Sequence, residues 1–402
     1  MTKARFATTR RTVLGGAAAG AVLLGAPALL RAQQGPVVMA ALNPLTGAGG
    51  NYGPGMLATI QAAVQAANDA GGIDGREIEL VSEDTQTSPE AAVRAARKII
   101  DVDQAIAIMG TWASSVTTAV APLCWESRTM LSAVSGADSI TRLPHDGYFF
   151  RTQPTTTLQI DAATRFMLDQ GAEKIAYIGP QTPFTQDSID MMGEIALGAG
   201  KSFDSLIYEA DKASYGSEAD QILHGEPDFL FLGGYTPDVT VLLKDLFRAG
   251  YEQRMLAFAY AVNQALVESL PQDVTNGIYV FSPTPAVDSQ AYQRVQEILG
   301  ADVKVDPYSA QTYDQANLMI LAAAAGEPTG TGIRDALRTV SQGDGETVDN
   351  VADGLGLLAE GKSIQYSGAS GPCDFDNRGD IREVPFLFEQ VQDGSFEVVE
   401  RR

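Results

Sequence analysis

AIAIMGTWASSVTTAVAPLCW, residues 105–125, is the stretch that decides the fold. Ala105–Met109 is apolar at every position and too short for a helix, the pattern of a strand buried on both faces. Gly110 ends the run, Thr111–Ser115 make a short loop, and Val116 onward reads as a helix. A strand that turns this tightly into a helix leaves the first helical N–H groups without backbone partners. Ser114 or Ser115 can cap them, or the same groups, aided by the helix dipole, can hold an anion. A carboxylate cradle is the simplest functional reading of the loop; an ordinary capped helix start is the other.

The same grammar runs through the chain. VVMAAL (37–42) leads through the glycine loop TGAGGNYGPG to a helix with Met56, Ile60, Val64 and Ala67 on one face. IELV (78–81) leads to PEAAVRAARKII, with Val93, Ala96 and Ile100 on one face, and MLSAV (130–134) follows. The alternation restarts at KIAYIG (174–179) and a helix from about Gln186. It continues through SLIYEA (205–210), DFLFLGG (228–234), a helix over VTVLLKDLFRAG, MLAFAY (255–260) and IYVFSP (278–283). Continuous apolar strands separated by helices predict parallel sheets covered on both faces. The fold class is therefore α/β, in two halves of similar plan whose strand-end loops face a shared cleft. The C-terminal part adds a helix at DQANLMILAAAAG (314–326), a hairpin turn at DFDNRGD (374–380) and a strand at VPFLFEQV (384–391).

With 402 residues the chain exceeds what one core usually organises. Residues 1–32 carry Lys3, Arg5, Arg10, Arg11 and Arg31 and no acid, with a weakly apolar Val13–Leu30 run. Paired arginines ahead of that run, and small residues ending at Ala32, describe a cleaved export signal of the twin-arginine type. A membrane anchor is the competing reading, but five Gly and Pro residues dilute a run barely long enough to span. Beyond the signal, 23 basic face 50 acidic residues, a net charge of −27. Such a surface repels phosphate backbones and anionic lipid, which argues against nucleic acid as a partner and for a soluble monomer. Cys124 and Cys373, far apart, read as two buried, unpaired thiols.

Catalytic constellations are scarce. His145 and His224 sit in loop-like contexts away from any other metal ligand and read as exposed loop histidines, so neither metal nor cofactor is expected. The glycine loop lacks dinucleotide spacing, because Tyr52 stands where a third glycine belongs, and no Walker lysine follows. Asp374 to Asp380 lacks the closing Glu of a calcium loop. What remains is a polar, non-catalytic set at strand ends: Tyr52, Ser114, Ser115, Ser135, Tyr235 and Tyr260.

The order LNPLTGAGGNYGPG, AANDAGGIDGREIELVSEDTQTSPEAAVRAARKII, GTWASS, GGYTPD and TYDQANLMI resembles the leucine/isoleucine/valine-binding proteins, periplasmic solute receptors of ABC importers. The resemblance covers nearly all of the chain beyond the signal. It implies the type I binding-protein fold: two Rossmann-like lobes joined by a hinge of three crossings. Lobe 1 would be about 36–153 plus 284–368, and lobe 2 about 154–283 plus 369–402. It implies a periplasmic location, no enzymatic activity, an amino acid or related small carboxylate as ligand, and an ABC permease as partner. Carried over by position, Ser114 holds the ligand carboxylate, Trp112 contacts its side chain, Tyr52 and Tyr235 line the pocket, and the Ser135 backbone accepts from the ligand ammonium.

Three positions depart from the family pattern. Ala137 replaces a head-group threonine, Phe184 a second-lobe tyrosine, and Tyr260 the acid that pairs with the ammonium. A buried ammonium without a carboxylate costs several kcal/mol, of order ~3–5, unless other acceptors replace it. Asp138 is near enough in sequence to substitute. Otherwise Trp112, Tyr52, Phe184, Tyr235 and Tyr260 form an aromatic pocket for an apolar or aromatic carboxylate or amide without an ammonium. A ligand-sensing module is the further alternative.

Overall fold

The computed structural model describes residues 35–402, so the expected export signal lies outside the described residues. Among them, no helix is long and apolar enough to cross a membrane. The apolar runs form two large sheets. The first contains β1 (Val37–Asn43), β2 (Ile78–Asp84), β3 (Ala107–Thr111), β4 (Met130–Ala133) and β5 (Phe149–Arg151), all parallel, in the order β2-β1-β3-β4-β5. In the second, β6 (Lys174–Pro180), β7 (Ser202–Tyr208), β8 (Phe229–Leu232), β9 (Arg254–Phe258) and β10 (Tyr279–Pro283) run parallel in the order β7-β6-β8-β9-β10. A small sheet of β11 (Glu346–Val348), β12 (Ile364–Gly368) and β13 (Gly371–Pro372) belongs to the first lobe. Antiparallel β14 (Phe386–Gln392) and β15 (Ser395–Arg401) extend the second sheet beyond β10.

Each large sheet reverses its strand order once, between β1 and β3 in the first and between β6 and β8 in the second. Loops leaving the carboxyl ends of strands beside such a reversal diverge and open a crevice. These loops carry Tyr52, Trp112–Ser114, Thr182 and Gly234–Tyr235.

The chain crosses between the lobes three times. Arg151 ends β5, and the helix Thr156–Asp169 already packs Ile160, Ala163 and Phe166 into the second-lobe core. The second crossing follows Pro283. The third falls at Pro385, since Ile381 and Val384 pack in the first-lobe core and Phe386 in the second. The expected lobe boundary at 368/369 is therefore displaced, because β13, Cys373 and Phe375 still belong to the first lobe.

Three helices differ from their sequence reading. Pro89–Arg97 continues into a π turn over Lys98–Val102, and its buried face is Ala92, Ala96 and Ile99 rather than Val93, Ala96 and Ile100. A helix begins at Pro183, not Gln186, because the Thr182 hydroxyl accepts from the Thr185 N–H. The C-terminal helix begins at Pro307 rather than Asp314, with the Asp306 carboxylate accepting from the Tyr308 and Ser309 N–H groups. Both thiols are free and buried. His224 is exposed as expected, but His145 is not: it is 8% exposed, its Nδ1 accepts from Gly147 N–H, and burial lowers its pKa.

Candidate functional site

Gly110 shows why the loop after β3 takes its shape. Its φ is +100°, and a Cβ there would lie 2.0 Å from Asn43 Oδ1 on β1. Only glycine fits both the backbone and the neighbour. The chain then turns into the helix Ser114–Ser127, whose N-cap is Ala113, with no side-chain hydrogen bond. Neither serine caps it, contrary to the capping reading. Ser114 instead turns its hydroxyl to accept from Ala137 N–H at 3.1 Å.

Eight helix starts elsewhere are treated differently. Ser88, Thr155, Thr182, Asn263, Ser289, Asp306, Thr329 and Asn350 all cap their helices with side chains. The helices Asp138–Thr141, Gly216–Leu223 and Gln272–Thr275 lack such a cap. So do the helices starting at Gly53, Ser114 and Thr236, whose N-cap residues are Tyr52, Ala113 and Tyr235 at the cleft. Pro54 and Pro237 remove an N–H from the first turn of two of these. The Ser114 helix has no proline in its first turn, so it keeps the fullest set of donors and the strongest preference for an anion.

A cavity of about 40 Å³ lies between the sheets. From the first lobe it is lined by Trp112, Ala113, Ser114, Gly136 and Tyr308, and from the second by Phe184, Thr185, Gly234, Tyr235 and Tyr260. Gln153 and Gln159 line it from the first crossing. No Asp or Glu is among the lining residues. Trp112 is the hub of a ring cluster across the cleft, 5.1 Å from Tyr235 and 5.7 Å from each of Tyr52, Tyr260 and Tyr308. Tyr52 hydroxyl donates to the Tyr260 carbonyl of the opposite lobe at 3.3 Å, and burial pushes its pKa up to about 12. Burial raises the pKa of Tyr235, Tyr260 and Tyr308 as well, so these phenols stay neutral. Beyond Tyr260, Tyr308 and Gln159, which it shares, a second, mainly apolar cavity of about 440 Å³ reaches Phe258, Val280, Phe281 and Phe396, with Lys304, Asp306 and Glu389 as its charged lining residues. Ligand pockets usually measure about 300–1,000 Å³, so a ligand held against Ser114 in the 40 Å³ cavity needs the rings to part.

The structure brings Trp112, Ser114, Phe184, Tyr235 and Tyr260 to one cavity, with Tyr52 stacked behind Trp112. Ser115 sits one residue further along the helix, outside the lining. Ser135 and Ala137 flank the lining residue Gly136 without reaching the cavity. Their carbonyls accept from Arg151 Nη1 at 3.1 and 2.8 Å. The Ser135 carbonyl thus faces a guanidinium rather than waiting for an ammonium. Arg151 is fully buried and also donates to Asp380 Oδ1 at 2.6 Å, so the 374–380 hairpin braces the cleft loop. Asp138 is not among the residues lining this cavity; its carboxylate accepts from Thr157 of the following helix. Among the described residues no group of three His, Cys, Asp or Glu is placed to hold a metal ion.

Sequence reasoning missed Gln153, Gln159, Thr182 and Tyr308. Tyr308 was legible in principle, since Asp306-Pro307 is a cap followed by a first-turn proline. No sequence signal marks the glutamines; their role follows from the position of the crossing.

Two α/β lobes, a strand-end cleft between them and three crossings define a two-lobed binding protein. The periplasmic binding protein family model matches residues 36–354, and the chain belongs to that family. It is 28% identical over 378 residues to the chemotactic signal transduction system substrate-binding protein BasB of Halobacterium salinarum, covering 91% of this chain and 89% of that protein. It is 23% identical over 376 residues to the leucine-, isoleucine-, valine-, threonine- and alanine-binding protein of Pseudomonas aeruginosa, covering 89% and 91%. Leucine binding protein LivK of Thermotoga maritima shares the fold, with a TM-score of 0.74, 19% identity, and coverage of 91% of this chain and 98% of that one. A solute-binding protein from R. palustris in complex with benzoate does too, with a TM-score of 0.73, 17% identity and coverage of 91% and 96%. The fold is that of the type I periplasmic binding proteins.

Proposed function

We propose that the protein is an exported, non-enzymatic receptor for a small carboxylate and hands it to an ABC permease. The observation that carries this reading is the uncapped start of the Ser114 helix, opening on a ring-lined cavity between two lobes. Free N–H groups and the helix dipole suit a carboxylate, and Trp112, Phe184, Tyr235 and Tyr260 suit an apolar body. The ligand lacks an ammonium, or carries one at a penalty: no carboxylate lines the cavity, and Tyr260 stands where the resemblance places the pairing acid. The benzoate-bound and leucine-binding neighbours bracket that choice.

A sensing role is the second reading, favoured by the likeness to BasB, whose name places it in a chemotactic signal transduction system. The two roles share one cleft and differ in the partner that reads it. A thermal-shift screen of amino acids, aromatic acids, short fatty acids and the matching amides tests the receptor reading. A true ligand at a hundred times its Kd adds about 2.7 kcal/mol of stability. No shift with any acid would remove the carboxylate reading.

A further inference from the structure

Gln153 and Gln159 line the cavity where the chain leaves the first lobe and enters the second. Gln153 is 4% and Gln159 1% exposed, and both line the cavity. Their amides are in series: Gln153 Nε2 donates to Gln159 Oε1 at 3.3 Å, and Gln159 Nε2 donates to the Pro154 carbonyl at 2.7 Å. A carbonyl only accepts, so Pro154 fixes which end of Gln159 faces it. Gln159 must then present Oε1 to Gln153, and Gln153 must answer with its NH₂. Turning either amide over would set oxygen against oxygen or NH₂ against NH₂. The order leaves one group over: Gln153 Oε1, buried and without a partner.

A buried acceptor without a partner opposes folding, and such groups concentrate where something else supplies the donor. Water is one candidate donor; a ligand in the cavity that Gln153 lines is the other. The acceptor is neutral, no carboxylate lines the same cavity, and the Arg151 guanidinium holds the Ser135 and Ala137 carbonyls just behind Gly136. A neutral acceptor in a site with a cation behind its wall suits a hydroxyl or amide N–H better than an ammonium.

We infer that Gln153 Oε1 is a specificity determinant that accepts a hydrogen bond from an uncharged donor on the ligand, so that the bound molecule is a hydroxylated or amide-bearing acid. This rests on the carboxylate reading above and narrows it. The phenols around the cavity do not duplicate the role. Tyr52 hydroxyl already donates to Tyr260 O, and a phenol offers its own proton as readily as it takes one.

Calorimetric titration of the full chain with matched acids tests the assignment. One set is 3-phenylpropanoate, phenyllactate and phenylalanine; the other is benzoate with 3- and 4-hydroxybenzoate. At least one hydroxylated acid is expected to bind tenfold or more tighter than its unsubstituted parent, and phenyllactate tighter than phenylalanine. Gln153→Met, of similar length, collapses the hydroxyl preference to within about twofold. Gln153→Glu moves the preference toward phenylalanine. Equal affinity of parent and hydroxylated acids, or tighter binding of phenylalanine by the unaltered chain, overturns the assignment while leaving the carboxylate receptor standing. A preference that survives in a folded Gln153→Met protein, checked by circular dichroism, also overturns it. If no acid binds at all, the receptor reading fails first and this one with it.

Discussion

Trp112–Ser114 follow a strand beside the order reversal of the first sheet, and Gly234–Tyr235 follow its counterpart in the second. The positions are equivalent, and the chemistry is not. The first wall offers a proline-free helix start, the Ser114 hydroxyl and a loop fastened from behind by Arg151. The second offers Phe184, Tyr235 and Tyr260, which meet the first wall's own rings, Trp112 and Tyr308, over a helix whose first turn has lost a donor to Pro237. Duplicated architecture therefore carries divided labour. On the carboxylate reading proposed above, the first lobe would hold the head group, while rings from both lobes would shape the space around an apolar body. Preorganised donors bind without the cost of being ordered at the moment of contact, so on that reading the first wall would set affinity for the head and the rings would set choice among bodies.

The largest test of the rigid wall removes its brace. Arg151 is fully buried, and Asp380 is its carboxylate partner. Asp380→Ala leaves a buried guanidinium uncompensated, which costs about 3–5 kcal/mol. Urea denaturation followed by circular dichroism should show that loss. A change near that of an ordinary exposed substitution, within about 0.5 kcal/mol, would mean the first wall is not braced from behind. A second test sits where the walls meet. A Cβ on Gly136 would lie 2.6 Å from Gln159 Nε2 and 2.7 Å from Phe184 Cε2, across the cleft. Gly136→Ala should disfavour closure by about 1–3 kcal/mol with less effect on either core. Small-angle scattering should report a larger radius of gyration than the parent chain shows; an identical radius would place closure elsewhere.

How much of this contrast was legible beforehand differs between the walls. The strands of both lobes could be read because each is a continuous apolar run, and GTWASS because a glycine between strand and helix marks a tight loop. Helix starts were read poorly wherever a cap preceded the apolar pattern: Thr182 and Asp306 each begin a helix earlier than periodicity does, and so Tyr308 went unseen. The third crossing was misplaced because its position depends on which core Phe375 and Ile381 enter, a tertiary fact absent from local pattern. Ser135 was given a backbone role by resemblance, yet its carbonyl serves Arg151, a pairing 16 residues away that no spacing rule encodes. The burial of His145 was hidden for the same reason.

Tyr260 sharpens the comparison at the ring wall. Tyr260→Glu returns a carboxylate to the cavity. It should tighten binding of an amino acid and weaken that of the matching plain acid, by roughly tenfold each, or about 1.4 kcal/mol. Calorimetry with phenylalanine and 3-phenylpropanoate checks both directions in one protein. If both ligands weaken together, the ring packs the wall and does not discriminate between head groups.

The smallest effect belongs to the contact that ties the walls together. Tyr52 hydroxyl spans the cleft to Tyr260 O, and its removal in Tyr52→Phe deletes that hydrogen bond and the long one it accepts from Asn263 Nδ2 at 3.5 Å, while keeping the ring on Trp112. The loss should be about 0.5–1.5 kcal/mol, seen as faster ligand release. The pH dependence gives the sign independently. Burial raises this phenol from its ordinary 10 to about 12, so the closed form keeps its proton where the open or unfolded chain has begun to lose it. The contact is then fully present below pH 10 and weakens as pH rises from about 10 to about 12. Release rates measured from pH 6 to 9 should therefore be flat in both proteins, with a constant ratio between them. A ratio that falls within that range would show the hydroxyl ionising early, in a wetter cleft than the packing of Trp112, Tyr260 and Tyr308 implies.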